Sequence, residues 1–221
     1  MNIENNIRKI TESLPPTCRL VAVSKTQPVE RIREAFNAGL RIFGENKAQE
    51  LTEKYSLLPE EIEWHMIGHL QRNKVKHIAP FVSLIHSVDS LRLLEEIDKQ
   101  GSRNARVIPC LLQIHIAEEE TKFGFNADEA RELIASEKIG ALQHIEIRGL
   151  MGMATFTDDE KKIRAEFKSL RKLFEELKTS PLPGNVRLTE LSMGMSNDYR
   201  IAIEEGSTLI RVGSAIFGER N

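Results

Sequence analysis

A lysine near the N-terminus is the residue of this sequence best placed to act as a nucleophile. Lys25 closes the apolar run 20–25, which is rich in valine and is followed by the turn residues Thr26 and Pro28. Such a run predicts a buried strand. Burial disfavours the ammonium form of a lysine and frees its nitrogen for attack on a carbonyl group. The alternative is a strand-end lysine that extends its charged group into water.

Two segments near the C-terminus have the composition of a phosphate-binding cup, namely 192–196 (SMGMS) and 211–214 (RVGS). Glycine lets backbone N–H groups approach a ligand closely, and serine adds a hydroxyl donor. A short helix that begins near Ser214 or Ala215 would direct its N–H groups at an anion. Gly–Ser pairs also occur in ordinary turns. An amine, a phosphate cup and Arg211 together suggest pyridoxal 5′-phosphate (PLP).

Two polar residues at the predicted strand ends each have two interpretations. Arg211 either donates to a ring nitrogen or an oxyanion at the mouth of the fold, or belongs to a structural ion pair. Asn46 ends the second apolar run after Gly44 and Glu45. It either contacts a ligand or caps the helix that follows, and these two roles are compatible.

Composition excludes several classes of function. The 31 basic and 33 acidic residues give a formal net charge of −2, which argues against a general nucleic-acid or membrane-surface binder. The six histidines are scattered, and His65 and His69 are separated by Gly68, so we expect no metal site. No serine lies in a nucleophile elbow. The two cysteines and the lack of any long apolar stretch predict a cytoplasmic protein without a membrane span.

Strand-like and helix-like segments alternate along the chain. Apolar runs that predict strands begin near Leu20, Leu40, Ile62, Val82, Val107, Ile145, Val186 and Thr208. Helical periodicity is found at 29–38, 49–57, 91–99, 127–138 and 159–178, with Gly39 and Gly101 as expected helix stops. Eight such units predict an α/β fold, a single (β/α)₈ TIM barrel that forms one domain over residues 1–221. Phosphate commonly binds after strands seven and eight of such barrels, where the two Gly–Ser segments lie.

Several ordered motifs resemble one family over nearly the whole chain. They are 22–26 (AVSKT), 43–46 (FGEN), 63–74 (EWHMIGHLQRNK), 86–89 (HSVD), 148–151 (RGLM), 192–196 (SMGMS) and 211–218 (RVGSAIFG). Together they resemble the pyridoxal phosphate homeostasis protein family, known in bacteria as the YggS type. Its members have the barrel of the alanine racemase N-terminal domain and bind PLP without a well-established turnover.

The resemblance implies a set of cofactor-binding residues. Lys25 would form the Schiff base with PLP, and Arg211 would face the pyridine nitrogen. The remaining implied contacts are the phosphate ligands Ser196, Gly213 and Ser214, backbone help near Met195, Asn46 close to the cofactor, and His86 and Met66 on the pocket wall. One departure from the family pattern is Arg200, where an acidic residue is expected.

We expect a monomeric, cytosolic protein. Its implied function is to buffer PLP or to deliver it to PLP-dependent apo-enzymes. An arginine at the pyridine nitrogen disfavours protonation of the ring, which weakens it as an electron sink. The sequence ends at Asn221, directly after the eighth unit, so we expect no second domain of the kind that supplies the opposing base in alanine racemases. The alternatives are a PLP-dependent racemase or related enzyme, and a phosphate-sugar aldolase that uses Lys25.

Overall fold

The computed structural model describes residues 2–117 and 123–218, and its eight strands close into one parallel barrel. The strands follow one another around the barrel in chain order, and β8 pairs with β1. This confirms the predicted (β/α)₈ fold. The strands are β1 (Arg19–Val23), β2 (Ile42–Glu45), β3 (Glu63–Met66), β4 (Leu84–Val88), β5 (Ile108–Ile114), β6 (Ile145–Gly152), β7 (Val186–Ser192) and β8 (Leu209–Val212).

Helices cover the outside of the barrel. They are α1 (Ile3–Thr11), α2 (Val29–Asn37), α3 (Ala48–Tyr55), α4 (Val75–Ile78), α5 (Leu91–Arg103), α6 (Ala127–Ala135), α7 (Glu137–Ala141), α8 (Glu160–Lys178), α9 (Tyr199–Glu204) and α10 (Ser214–Phe217). The long helix α8 begins where the sequence predicts, because the Asp159 side chain accepts hydrogen bonds from the N–H groups of Lys161 and Lys162.

The core has two layers, which follow from the alternation of side chains along each strand. The larger layer lies between the strands and the helices and includes Phe43, Trp64 and Phe167. The smaller layer fills the barrel interior and includes Val21 and Leu209. Residues two positions further along the same strands, among them Arg211, therefore face the interior as well.

Two helical regions differ from the sequence-based expectation. Helix α1 was not predicted, because residues 1–12 are mostly polar; its isoleucines at positions 3, 7 and 10 form a narrow buried face. The Asn6 side chain donates a hydrogen bond to the carbonyl of Ile216 in α10. The single helix predicted over 127–138 is two helices, α6 and α7. They are separated at Ser136, whose backbone is extended and whose side chain caps α7.

Glycine has different roles at the two expected helix stops. Gly39 has a φ of +101° just after α2, which confirms it as a stop. The stop predicted at Gly101 is wrong, because α5 continues to Arg103. A Cβ atom at position 101 would lie 2.6 Å from the His144 carbonyl oxygen, so glycine is needed here for close packing of the helix.

We predict that Gly101→Ala lowers the free energy of unfolding by about 1–3 kcal/mol, because the added methyl group overlaps backbone oxygen atoms. Gly140→Ala is the matched control. Its Cβ would meet only Pro183, at 3.8 Å, so it should raise the free energy of unfolding by up to ~1 kcal/mol. Urea denaturation of both variants measures the difference. Equal effects of the two substitutions would contradict the packing role of Gly101.

Candidate functional site

A cleft of about 490 Å³ opens at the carboxyl ends of the strands. This volume lies in the range of small-molecule sites. The cleft is lined by Val23, Lys25, Asn46, Ile67, Gly68, His69, Gln113, Phe123, Met153, Met195, Ser196, Arg211, Gly213 and Ser214. It therefore brings together Lys25, Asn46, Met195, Ser196, Arg211, Gly213 and Ser214 from the predicted set.

The two Gly–Ser segments meet at one side of this cleft. The N–H group of Gly213 donates to Ser196 Oγ at 3.2 Å. Gly194 has a φ of +94°, and a Cβ there would lie 2.5 Å from the Cβ of Ala202, so the turn after β7 requires glycine. The two segments therefore lie side by side at the cleft, and we refer to them together as the cup.

Met195 lines the cup, but its own N–H group is already engaged. This group donates to Oδ1 of Asp198, a buried carboxylate at the start of α9. Burial raises the pKa of Asp198, while the Met195 N–H and the charge of Arg211 lower it. Backbone donors for an anion at this turn must therefore come from residues next to Met195.

Arg211 forms the inner wall of the cleft and is only 4% exposed. Its guanidinium donates through Nη1 to Ser192 Oγ at 2.5 Å and through Nη2 to the Gly152 carbonyl at 3.0 Å. Burial lowers the pKa of Arg211 to about 10, so the group stays charged at neutral pH. Among the described residues no carboxylate lies within 4.0 Å of it, so the structural ion pair considered above is absent there.

A buried polar chain continues from Arg211 into the barrel. Ser192 Oγ lies 2.9 Å from Nδ1 of His86, and Nε2 of His86 lies 2.9 Å from Nδ1 of His65. Arginine can only donate, so Ser192 accepts from it and has its own hydrogen for His86. Burial lowers the pKa of His65 to about 3 and that of His86 well below its usual range, and the positive charge of Arg211 contributes at His86. Both imidazoles are neutral.

Two residues predicted on the pocket wall lie elsewhere. Met66 packs into the outer layer, because strand alternation directs Met66 away from the barrel interior; Ile67, one position further along, reaches the cleft instead. His86 is fully buried and does not line the cleft; it contacts Ser192, whose hydroxyl also accepts a hydrogen bond from Arg211. These two placements correct the sequence-based expectation.

The loops after β1 and β2 place Lys25 and Asn46. Lys25 is half-buried and lies two residues beyond the end of β1. Asn46 packs against Gly68, where a Cβ atom would lie 2.5 Å from the Asn46 carbonyl oxygen. The glycine after β3 therefore lets two loops approach closely at the cleft. Arg200, the departure from the family pattern, is exposed on α9 and does not line the cleft.

A buried ionic cluster lies next to Lys25. Glu45, at the end of β2, is fully buried and accepts hydrogen bonds from Lys54 Nζ at 2.8 Å and Ser24 Oγ at 2.6 Å. Burial raises the pKa of Glu45 to about 6, although both of these contacts oppose the rise. The sequence-based reasoning missed this cluster; a lysine and an acidic residue four apart on one helix were its only local signal.

His69 is a second residue that the sequence-based reasoning missed at this site. It lines the cleft, and its Nδ1 lies 3.1 Å from Oδ2 of Asp89. Its ring stacks on Phe123, with the centroids 4.3 Å apart. Its position just after β3 is the signal in the sequence that could have indicated this role.

Residues 2–117 and 123–218 contain neither a metal-ligand cluster nor a membrane-spanning helix. In these ranges no three side chains of His, Cys, Asp or Glu come together in a way that could hold a metal ion. None of the helices described there has both the length and the apolar character needed to cross a membrane.

Both the sequence and the fold of this chain match those of known proteins. The family model of the alanine racemase N-terminal domain matches residues 1–221. The pyridoxal phosphate homeostasis protein of Aquifex aeolicus is 38% identical, over 100% of this chain and 99% of its own length. The structure of PipY from Synechococcus elongatus with PLP bound has a TM-score of 0.88 and 38% identity, over 98% of this chain and 100% of that one.

An alanine racemase shares the fold at much lower identity. The Bartonella henselae enzyme, whose structure has covalently bound pyridoxal phosphate, has a TM-score of 0.73 at 18% identity. The match covers 99% of this chain and 58% of the racemase. This likeness confirms the expected architecture.

We predict that Glu45 makes protein stability depend on pH in a defined direction. Its raised pKa means that the folded protein binds this proton more tightly than the unfolded chain. The contribution of Glu45 to the free energy of unfolding is therefore fully present below pH 4.5 and is lost as the pH rises through about 6. Relative to Glu45→Gln, the wild-type protein should lose about 2 kcal/mol of unfolding free energy over that interval. Urea denaturation at several pH values measures this, and a difference that stays constant or grows with pH would contradict it.

Proposed function

This chain belongs to the pyridoxal phosphate homeostasis protein family, and from that membership we propose that it binds PLP and buffers or delivers it. The observation that carries the proposal is the meeting of three groups in one cleft. These are the amine of Lys25, the guanidinium of Arg211, and the cup formed by Ser196 and Gly213. The likeness to PipY, which has been seen with PLP bound, supports the same ligand class.

Lys25 is suited to carry the cofactor through a Schiff base. When bound, PLP supplies an aldehyde for this link and a ring that can withdraw electrons. Lys25 would hold the cofactor by forming this link through its deprotonated nitrogen, with the release of one molecule of water. The half-buried position of Lys25 at the cleft leaves the amine reachable by a ligand.

The cup is suited to the phosphate group. The hydroxyls of Ser196 and Ser214 are donors on one side of the cleft, and the Gly213 N–H group, which donates to Ser196 Oγ, orients the Ser196 hydroxyl. Hydrogen bonds from such donors to an anion are stronger than those between neutral groups. Because the cup binds the phosphate without a lysine or an arginine, the guanidinium of Arg211 is available to face the pyridine ring.

Arg211 is suited to a pyridine nitrogen that stays unprotonated. Two neutral acceptors, Ser192 and Gly152, hold the guanidinium in place without neutralising its charge. A second positive charge close by, such as a protonated pyridine nitrogen, would be repelled. An unprotonated ring is a weak electron sink, which favours storage of the cofactor over catalysis on it. We therefore propose that the protein holds PLP without rapid turnover and passes it to PLP-dependent apo-enzymes.

We propose further that the protein is a cytoplasmic monomer. The closed barrel has no unpaired edge strand in the described part of the chain to pair with a second copy. Cys18 and Cys110 are free buried thiols, which suits a reducing compartment.

A slow PLP-dependent racemase is the second candidate, and one observation favours it. Racemisation needs acid–base groups on both faces of the reacting carbon. Lys25 would serve one face, and His69, oriented by Asp89, lines the same cleft. The weak electron sink expected from Arg211 argues for the homeostasis function instead.

We predict that Lys25→Ala still binds PLP, and at least about tenfold more tightly than pyridoxal, which lacks the phosphate. The reason is that a hydrogen bond to a charged group is worth about 1.5–3 kcal/mol, more than a factor of ten in affinity. Equilibrium dialysis with each ligand measures the ratio. Adding Ser196→Ala should shrink it, and equal affinity for the two ligands would mean that the cup is not a phosphate site.

We predict that the PLP-loaded protein forms no D-alanine from L-alanine at an enzyme-like rate. The incubation is followed by chiral chromatography, with Lys25→Ala and His69→Gln as control variants. Turnover of roughly 1 s⁻¹ or more that both substitutions abolish would establish the racemase instead. Turnover that neither substitution changes would point to a contaminating enzyme.

A further inference from the structure

We propose that Lys54, Glu45 and Glu50 form an ionic clamp that holds the backbone on both sides of Lys25 and so positions its amine in the cleft. The proposal rests on the proposed function of Lys25. It assigns positioning roles to three residues that do not line the cleft themselves.

Lys54 is the centre of the clamp. Its Nζ donates to the Ser24 carbonyl at 2.7 Å, to Glu45 Oε1 at 2.8 Å and to Glu50 Oε1 at 2.7 Å. Three acceptors for one nitrogen require three hydrogens, so Lys54 is an ammonium ion here. Its side chain is 7% exposed, which means that the three contacts replace nearly all of its hydration.

The clamp grips the chain immediately before and immediately after Lys25. On one side, the Ser24 hydroxyl donates to Glu45 Oε1 at 2.6 Å, and the Ser24 carbonyl accepts from Lys54. On the other side, the N–H group of Thr26 donates to Glu50 Oε1 at 2.6 Å. Lys25 therefore lies between two anchored residues, and both anchors lead to the same ammonium group.

The segment needs such anchors because its backbone is strained. Thr26 has a φ of +63°, in the left-handed region that β-branched residues rarely adopt. A residue in this region costs about 1–3 kcal/mol and persists only where its surroundings hold it. Because Thr26 follows Lys25 directly, relaxation of Thr26 would reorient the peptide that carries the lysine.

The cluster is poorly explained as a device for stability alone. Oε2 of Glu45 is buried and has no hydrogen-bond partner among the residues that the structure describes. Buried ionic groups that are incompletely paired contribute little to stability, or reduce it, relative to apolar side chains. A positioning role explains the cluster better than a stabilising role does. Glu45 directly precedes Asn46, so the cluster is connected to both Lys25 and Asn46, which line the cleft.

The test separates imine formation from binding of the cofactor. Pyridoxine 5′-phosphate has the ring and phosphate of PLP but no aldehyde, so its affinity reports the cleft without Lys25. The rate constant for the visible absorbance that PLP develops on the unloaded full-length chain reports the amine of Lys25. Glu50→Ala removes the Thr26 anchor at a side chain that is 22% exposed. Ser24→Ala removes a hydroxyl anchor and leaves every charge in place.

We predict that both variants keep the affinity for pyridoxine 5′-phosphate within about twofold, while the rate constant with PLP falls about tenfold. An ångström of misplacement can cost more, up to ~10²-fold. Glu50→Gln, which keeps an acceptor for Thr26 and Lys54, should restore most of the rate. Glu53→Ala is the matched control, since this glutamate lies on α3 and pairs with Gln49 instead; it should change neither quantity.

The outcomes distinguish this inference from the function on which it rests. If the wild-type chain binds neither ligand, the proposed function fails and the clamp fails with it. If the wild-type chain reacts with PLP and both anchor variants react at the wild-type rate, the clamp alone is overturned. A parallel loss of affinity and rate in both variants would also overturn it, because that pattern is a general destabilisation of the cleft.

Discussion

A buried positive charge is the constraint around which the cleft is organised. Arg211 is almost fully removed from water, and burial of an ion is costly unless hydrogen bonds replace its hydration. The acceptors come from the ends of two neighbouring strands, Gly152 in β6 and Ser192 in β7. The histidines that continue from Ser192 stay neutral, since burial lowers the pKa of both, and the charge of Arg211 lowers that of His86 further.

Closure of the barrel brings the two halves of the cleft together. The amine is near the start of the chain and the cup is near its end, yet β1 pairs with β8, and Val21 lies opposite Arg211 in that pairing. The contact of helix α1 with α10 ties the N-terminus to the element that begins at Ser214.

The sequence predicted the features that depend on local pattern. Alternating apolar and helical segments indicated the barrel, and the position of the Gly–Ser segments after the last two strands indicated the cup. Prediction from the sequence failed where a feature depends on packing between distant parts of the chain. The side to which Met66 points depends on the exact phase of β3, and the packing of Gly101 depends on a carbonyl from His144. The cluster of Glu45, Glu50 and Lys54 joins β2 to α3, so local sequence shows only the pair on α3.

The central claim is that Lys25 carries PLP in the cleft formed by the two ends of the chain. Its most direct test is borohydride reduction of the PLP-loaded protein, followed by digestion and mass spectrometry of the peptides. We expect a pyridoxyl phosphate group on Lys25, which is one of several lysines in the sequence. A label on a different lysine, or no label on a protein that demonstrably binds PLP, would contradict it.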